Sequence, residues 1–342
     1  MKKITFLFLL FIYITINAQV SDFKNIDFTK ADNIAKLNEG ESLQNLSLLS
    51  YKLTSKLPAK VEKFRAIYTW VCNNVRGDFS QHSKVSRKRK KLKNDSLTLA
   101  KWNDEYKKVA FKKLLKYKKT MCTGYAYLIK ELAFLADIEC EIIDGYGRTV
   151  NSNIDALEMA NHSWNAVKLN NKWYLCDATW SSGYMNGNNS FVQNYNDGYF
   201  LAEPILFAKD HYPIKTKWLL NNETTVKTFV TSPLIYGEAF KHKIIPLSPS
   251  KMNIEVSKNK EVSFSFKTLK DVSVDNVSLI YFLGIPEKKF PIYGLKNENG
   301  IISFKNKFKW KGFYDVHLKI DDNIVATYTI KVIKPINKKR YL

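Results

Sequence analysis

Apolar residues first recur at helical spacing after Pro58. In "LPAKVEKFRAIYTWVCNNV", Val61, Phe64, Ile67, Val71 and Val75 share one face, and the proline sits where helices start. Cys72 lies one step off that stripe and reads as a structural thiol. Segment 96–118 carries Leu99, Trp102, Tyr106, Val109, Leu114 and Tyr117 in looser helical order, and a sharper stripe of Tyr125, Leu128, Leu132 and Leu135 starts just past Cys122. The period then changes to two. "CEIIDGYG" (140–147), "HSWNAVKL" (162–169) and "KWYLCDATW" (172–180) read as strands. The last two flank Asn170-Asn171, residues that tolerate the positive φ of a tight hairpin turn. From about residue 230 the chain becomes short alternating segments: "VSFSFKT", "NVSLIYFLG", "KKFPIYGL", "GIISFKN" and "FYDVHLKIDDNIVATYTIKV". The expected fold is α+β, helices followed by an antiparallel sheet over 19–225, then an immunoglobulin-like β-sandwich over 230–338.

The N-terminus changes the setting. Residues 1–18 combine Lys2 and Lys3, an apolar run from Ile4 to Ile16, and the small residue Ala18. That is the layout of a secretory signal peptide cleaved before Gln19, so the expected location is secreted or periplasmic, with no transmembrane segment in the mature chain. The formal charge of +22 admits anionic partners, yet lysines occur along the whole chain beside many Asn and Ile, and no nucleic-acid motif accompanies them. Nucleic acid is therefore not an expected partner. "SKVSRKRKKLKND" places seven basic residues between 84 and 93; a solvated loop is the first reading, docking of an anionic partner the second.

Cys72, Cys122, Cys140 and Cys176 form no CxxC pair, and the five histidines form no HExxH or HxxxH group, so no metal and no cofactor are expected. Export permits disulfides, but the spacing gives no connectivity. The sandwich contains no cysteine and is held by packing alone.

Candidate chemistry centres on Cys122. At a helix start the free N–H groups and partial positive charge favour thiolate, and the small pair Thr123-Gly124 leaves room for a substrate carbonyl. Taken alone, a cysteine in this setting is more often a buried thiol than a nucleophile. A base and an orienting group lie downstream: a hairpin centred on Asn170-Asn171 makes partner numbers sum to about 341, so His162 faces Thr179, with Asp177 two residues along on the same face. Cys176 then points to the opposite face and reads as structural. Trp164, Trp173 and Trp180 read as core or cleft-lining aromatics.

Cys122 opening a helix, "NHSWNAVKL" with His162 and "KWYLCDATW" with Asp177 resemble, in order, the three signatures of the transglutaminase-like superfamily of papain-type cysteine enzymes. "IYTWVCNNV", "CTGYAYLIKELA", "GYG" and "YFLAEPILFAKDHYPIKTKWLL" are similar to its branch resembling the kyphoscoliosis peptidase, over residues 55 to 220. The resemblance implies a papain/transglutaminase-like core with Cys122 as nucleophile, His162 as general base then acid, and Asp177 as orienting carboxylate. It implies an exported enzyme acting on protein or peptide amide bonds through a thioester, as peptidase, deamidase or cross-linker. "NVRGD" departs from the branch, with Gly77 where relatives often carry an aromatic residue, which alters the cleft wall. Gln81 and Trp102 are both chemically able to complete an oxyanion hole, and neither is assigned. His211, in "KDHYPI", reads as structural. The rival expectation is a non-catalytic module that keeps the fold and binds cell-envelope polymer or protein.

Overall fold

The computed structural model describes residues 20–334, so the signal-peptide reading of 1–18 lies outside the described residues. Helices α1 (Thr29–Leu37), α2 (Leu46–Thr54) and α3 (Lys60–Asn74) come first. Val61, Phe64, Ile67 and Val71 are buried as their spacing requires, and Cys72 is buried beside them. Arg65 is buried on the same helix, where Asp32 and Asp197 both pair with its guanidinium and fasten α3 to α1 and to a distant loop.

A short strand, β1 (Arg76–Gly77), leads into α4 (Phe79–Lys91), followed by α5 (Ser96–Tyr117). The basic run expected as a loop is thus mostly helical. Asp78 caps α4 by accepting the Gln81 backbone N–H, and Gln81 and Val85, one turn apart, give the helix a buried side. Asp95 caps α5 in the same way through the Thr98 N–H. Strand β2 (Lys119–Thr120) then pairs with β1 in parallel, setting Gly77 beside Thr120, and α6 (Cys122–Leu135) follows.

The central sheet contains β3 (Cys140–Gly147), β4 (His162–Leu169) and β5 (Lys172–Cys176). Asn170 and Asn171 have φ of 48° and 62°, as a type I′ hairpin requires, and Asn165 faces Cys176 while Leu169 faces Lys172, the register inferred from the sequence. The third segment nevertheless stops early. Asp177 turns its carboxylate onto the N–H groups of Thr179 and Trp180 and starts α7 (Ala178–Ser182), so Thr179 never pairs with His162. A two-strand hairpin, β6 (Gly183–Met185) and β7 (Phe191–Gln193), comes next, then α8 (Pro204–Phe207) and β8 (His211–Pro213), which completes the strand order β5-β4-β3-β8. One face of this sheet places Val167, Leu169, Tyr174 and Cys176 in the core with α3 and α6.

The other face buries Ile143, Trp164, Ala166 and Leu175 in a core continuous with that of the C-terminal part. After α9 (Val226–Thr231), β9 (Leu234–Ile235) and α10 (Gly237–His242), the strands β10 (Ile244–Ser248), β11 (Asn253–Ser257), β12 (Glu261–Thr268), β13 (Val277–Phe282), β14 (Glu287–Lys289), β15 (Tyr293–Glu298), β16 (Ile301–Lys307), β17 (Gly312–Ile320) and β18 (Asn323–Ile333) build two sheets, β10-β12-β16-β15 and β11-β18-β17-β13-β14. β9 adds to β18. Val316, Leu318 and Ile320 alternate inward against Ala326, Tyr328 and Ile330, as period two dictates. "KKFPIYGL" is split between the sheets: Pro291, with no N–H for a ladder, lies in the crossing from β14 to β15. All four cysteines are free and buried, and no helix among the described residues is long and apolar enough to cross a membrane.

Candidate active site

Cys122 is the first residue of α6, 6% exposed, on the wall of a cleft of about 610 Å³. The parallel β1–β2 pair sets the starts of α4 and α6 side by side at one end of this cleft. The small residues after the cysteine serve the protein interior. A side chain at Gly124 would stand 1.9 Å from Thr120 Oγ1, and the Thr123 hydroxyl meets Ser163 Oγ at 3.3 Å. Room for Thr120, rather than for a substrate, is what position 124 requires.

His162 opens β4 opposite Gly145, its ring stacked on Trp180 at 4.6 Å between centroids. Gly147 leaves room for that stack: a Cβ there would lie 3.1 Å from His162 Cβ and 3.2 Å from Trp180 Cζ2, close enough to press both rings by a few tenths of an ångström. His162 Nε2 lies 2.7 Å from Asp177 Oδ2, leaving Nδ1 for the thiol. Asp177 is fully buried; its Oδ1 caps α7 and its Oδ2 also meets His211 Nε2 at 3.2 Å. Strand alternation predicts His162 and Asp177 on one face of the sheet. In the fold the contact comes from Asp177 leaving the strand as a helix cap.

Behind Asp177 the network continues. His211 Nδ1 is 2.6 Å from Asp210 Oδ1, and the Tyr199 hydroxyl donates to Asp210 Oδ2 at 3.3 Å. Phe207 stacks on the His211 ring at 3.9 Å. Asp210 went unnoticed in the sequence, although its signal was its place beside His211 in "KDHYPI". The β3–β8 pairing brings both to the site by setting Gly147 opposite His211.

Burial alone would push each of these groups toward its neutral form, and departures from that rule mark the site. Desolvation raises the thiols of Cys72, Cys140 (to about 12) and Cys176. Cys122 is equally desolvated, but the hydrogen bond and charge of His162, with smaller help from Arg89 and the Ser163 backbone, bring its pKa below the ordinary thiol value. Burial opposes the charge on His162 too, yet Asp177 and Cys122 raise it to about 10. Asp177 is held well below the usual carboxylate range, burial being outweighed by His162 and His211, while burial raises Asp210. Arg89 is thus the member of the basic run that acts on the site; its guanidinium donates to the Ala160 carbonyl.

His162, Asp177 and His211 together offer a metal-like donor set. Their spacing argues for hydrogen bonding: the 2.7 Å between His162 and Asp177 is shorter than the roughly 3.3 Å separating ligand atoms around a tetrahedral zinc. The two oxyanion-hole candidates separate clearly. Trp102 stacks on Tyr106 at 4.8 Å, out on α5, beneath Lys88. Gln81 is buried, accepts from Thr120 Oγ1 at 3.3 Å two residues before Cys122, and has an Nε2 with no partner among the described residues. Gly77 is explained by the β6–β7 hairpin, because a Cβ there would stand 2.6 Å from Met185 Cε and 2.7 Å from Phe191 Cδ2. Both side chains line the cleft in its place.

Residues 48–178, which include Cys122, His162 and Asp177, match the family model of the transglutaminase-like superfamily. The chain is similar to kyphoscoliosis peptidase of Homo sapiens, 26% identical over 290 residues (81% of this chain, 37% of that protein), and of Mus musculus, 28% identical over 216 residues (60% and 29%). It spans about a third of the length of these curated relatives. Among solved structures, the Lin-41 filamin domain aligns in full with 31% of this chain at 10% identity and a TM-score of 0.23. The sandwich class rests on its own two sheets.

Proposed function

From the premise that this chain carries a transglutaminase-like domain, we propose that it is a cysteine enzyme acting on amide bonds of proteins or peptides. One contrast carries the reading: of four buried thiols, Cys122 alone has its pKa lowered, and the cause is an imidazole anchored on a buried carboxylate. Cys122 thiolate attacks the carbonyl carbon, and the tetrahedral oxyanion takes hydrogen bonds from N–H groups at the start of α6 and from Gln81 Nε2. The His162 imidazolium gives its proton to the departing nitrogen, the C–N bond breaks, and a thioester remains. His162 then takes a proton from water, releasing an acid, or from a primary amine, forming a new amide. Asp177 keeps Nε2–H of His162 fixed and stabilises the imidazolium throughout. Residues 1–18 are read as an export signal, which N-terminal sequencing of the mature protein starting at Gln19 would bear out.

The test uses a glutamine-containing peptide with and without a labelled amine. Turnover that depends on Cys122 is expected. Label incorporation assigns transfer, ammonia without incorporation assigns deamidation, and a cut backbone assigns peptidase action. A Cys122 that alkylates like a free thiol, indifferent to His162→Ala, would sink the enzyme reading in favour of a binding module.

A further inference from the structure

Exposed apolar side chains gather at one end of the sandwich. The registers Ser257–Ile333, Glu261–Lys307, Phe282–Glu287 and Gly312–Val332 bring the turns 258–260, 283–286 and 308–311 to that end. In the β13–β14 turn Ile285 is 96% exposed, with Leu283 and Phe282 exposed before it; Trp310 and Phe313, where β17 begins, are 73% exposed each. A side chain so placed gains nothing from a core it does not touch. Lysines occupy the same turns: Lys260, Lys309 and Lys311 are exposed, and Lys258 lies over the Trp310 ring at 5.5 Å. Among the described residues none of these four lysines has a carboxylate partner, whereas Glu255, Glu261 and Glu287, on the strands that enter this end, are held by Lys331, Lys305 and Lys319. The surface also lies away from the cleft. β10 pairs Ile244 with Thr268 and β9 pairs Ile235 with Ala326, at the opposite ends of β12 and β18, and it is there that residues 234–238 line the cleft.

We infer that this end of the sandwich docks on the surface of an anionic lipid bilayer, with Leu283, Ile285 and Trp310 entering the interface and the lysines meeting headgroup phosphates. Its composition favours a bilayer over a protein partner. The apolar side chains stand on separate turns, interleaved with lysine, which the core of a protein interface excludes and an anionic headgroup layer attracts. An exposed tryptophan among lysines suits the membrane–water boundary, where the ring sits at headgroup level and the ammonium groups stay wet. The two kinds of contact complement each other: a few apolar side chains hold a protein to lipid only weakly, and the basic groups add the electrostatic part. Docked in this way, the protein keeps its cleft on the far side of the sandwich from the lipid. The inference does not depend on the chemistry proposed for Cys122.

The experiment sediments the mature chain, starting at Gln19 so that the apolar run from Ile4 to Ile16 is absent, with vesicles of phosphatidylcholine alone and of phosphatidylcholine mixed equally with phosphatidylglycerol. Binding to the mixed vesicles that weakens as salt rises is expected, with binding to phosphatidylcholine at least about tenfold weaker. Leu283→Ser with Ile285→Ser should cost at least about tenfold in affinity. Replacing Lys260, Lys309 and Lys311 by Gln should cost as much and flatten the salt dependence. All five side chains are exposed, so the urea midpoint should stay in place for both variants. The controls make the same changes on the helices, Leu37→Ser with Leu97→Ser, and Lys101, Lys108 and Lys112 to Gln; each should cost less than its counterpart at the sandwich end. No binding to the mixed vesicles, or controls that cost as much, would overturn the assignment. So would self-association that Leu283→Ser with Ile285→Ser abolishes while vesicles go unbound, which would give this surface to a second copy of the chain.

Discussion

The cluster around Asp177 and the helix pair α4–α5 are both dense in charge, and they handle it in opposite ways. Around Asp177 each group is out of water, so every charge is held by a named partner, and the pKa values separate until a thiolate and an imidazolium can coexist. Along α5 the lysines stand in solvent, where a partner would contribute little and none is needed. The difference is dielectric. Buried charge must be satisfied within the fold and is tuned by it; exposed charge costs the fold almost nothing and stays available to whatever arrives from outside.

The comparison breaks most sharply at Asp177. Asp177→Asn keeps a cap for α7 but removes the charge, and turnover should fall about a thousandfold to ten-thousandfold. Its pH profile should move as well. In the unchanged protein, Cys122 alkylation should rise with pH through a midpoint below the ordinary thiol value and then level off, whereas turnover should rise with it and fall as His162 loses its proton near 10. The sign follows from the shifts: the lowered thiol sets the acid limb and the raised imidazole the alkaline limb, with both midpoints belonging to the coupled pair. In Asp177→Asn the alkaline limb should retreat toward neutral pH, and an unmoved limb would show that Asp177 does not support the imidazolium.

Asp210→Asn and His211→Asn reach the same network from behind. Loss of one hydrogen bond to a charged group is worth about 1.5–3 kcal/mol, so kcat should drop roughly 10- to 100-fold. A fall in KM-type binding with kcat preserved would refute a positioning role. Gly145→Ala tests the scaffold: its Cβ would stand 2.3 Å from the Tyr212 backbone oxygen, forcing apart the β3–β8 pair that delivers His211. Urea unfolding should show a loss of about 1–3 kcal/mol or more. At the small end, replacing the exposed Lys101, Lys108, Lys112 and Lys116 of α5 by Gln should change stability by less than about 0.5 kcal/mol and leave the pH profile of Cys122 alkylation in place.

Much of this was legible before folding. Helical stripes place α3 and α6, and alternation with an Asn-Asn turn fixes the β4–β5 register, because both are local periodicities that burial enforces one residue at a time. Cys122 at a helix start follows from the stripe behind it. The basic run misleads as a loop, since its helix depends on the Asp78 cap and on a buried side of only two residues, signals weaker than a row of lysines.

By itself, then, the sequence determined the helices α3 and α6, the hairpin register of β4 and β5, the alternating strands of the sandwich, and the identity of Cys122, His162 and Asp177 as candidates. Tertiary structure alone decided that Asp177 meets His162 from a helix cap, and that His211 and Asp210 stand behind it across β8. It also decided that Gly124 and Gly77 make room for Thr120 and for Met185 with Phe191. The physical reason is range: periodicity and capping act between residues a few positions apart. The acidity of a buried group depends on everything within a few ångströms, wherever in the chain it began.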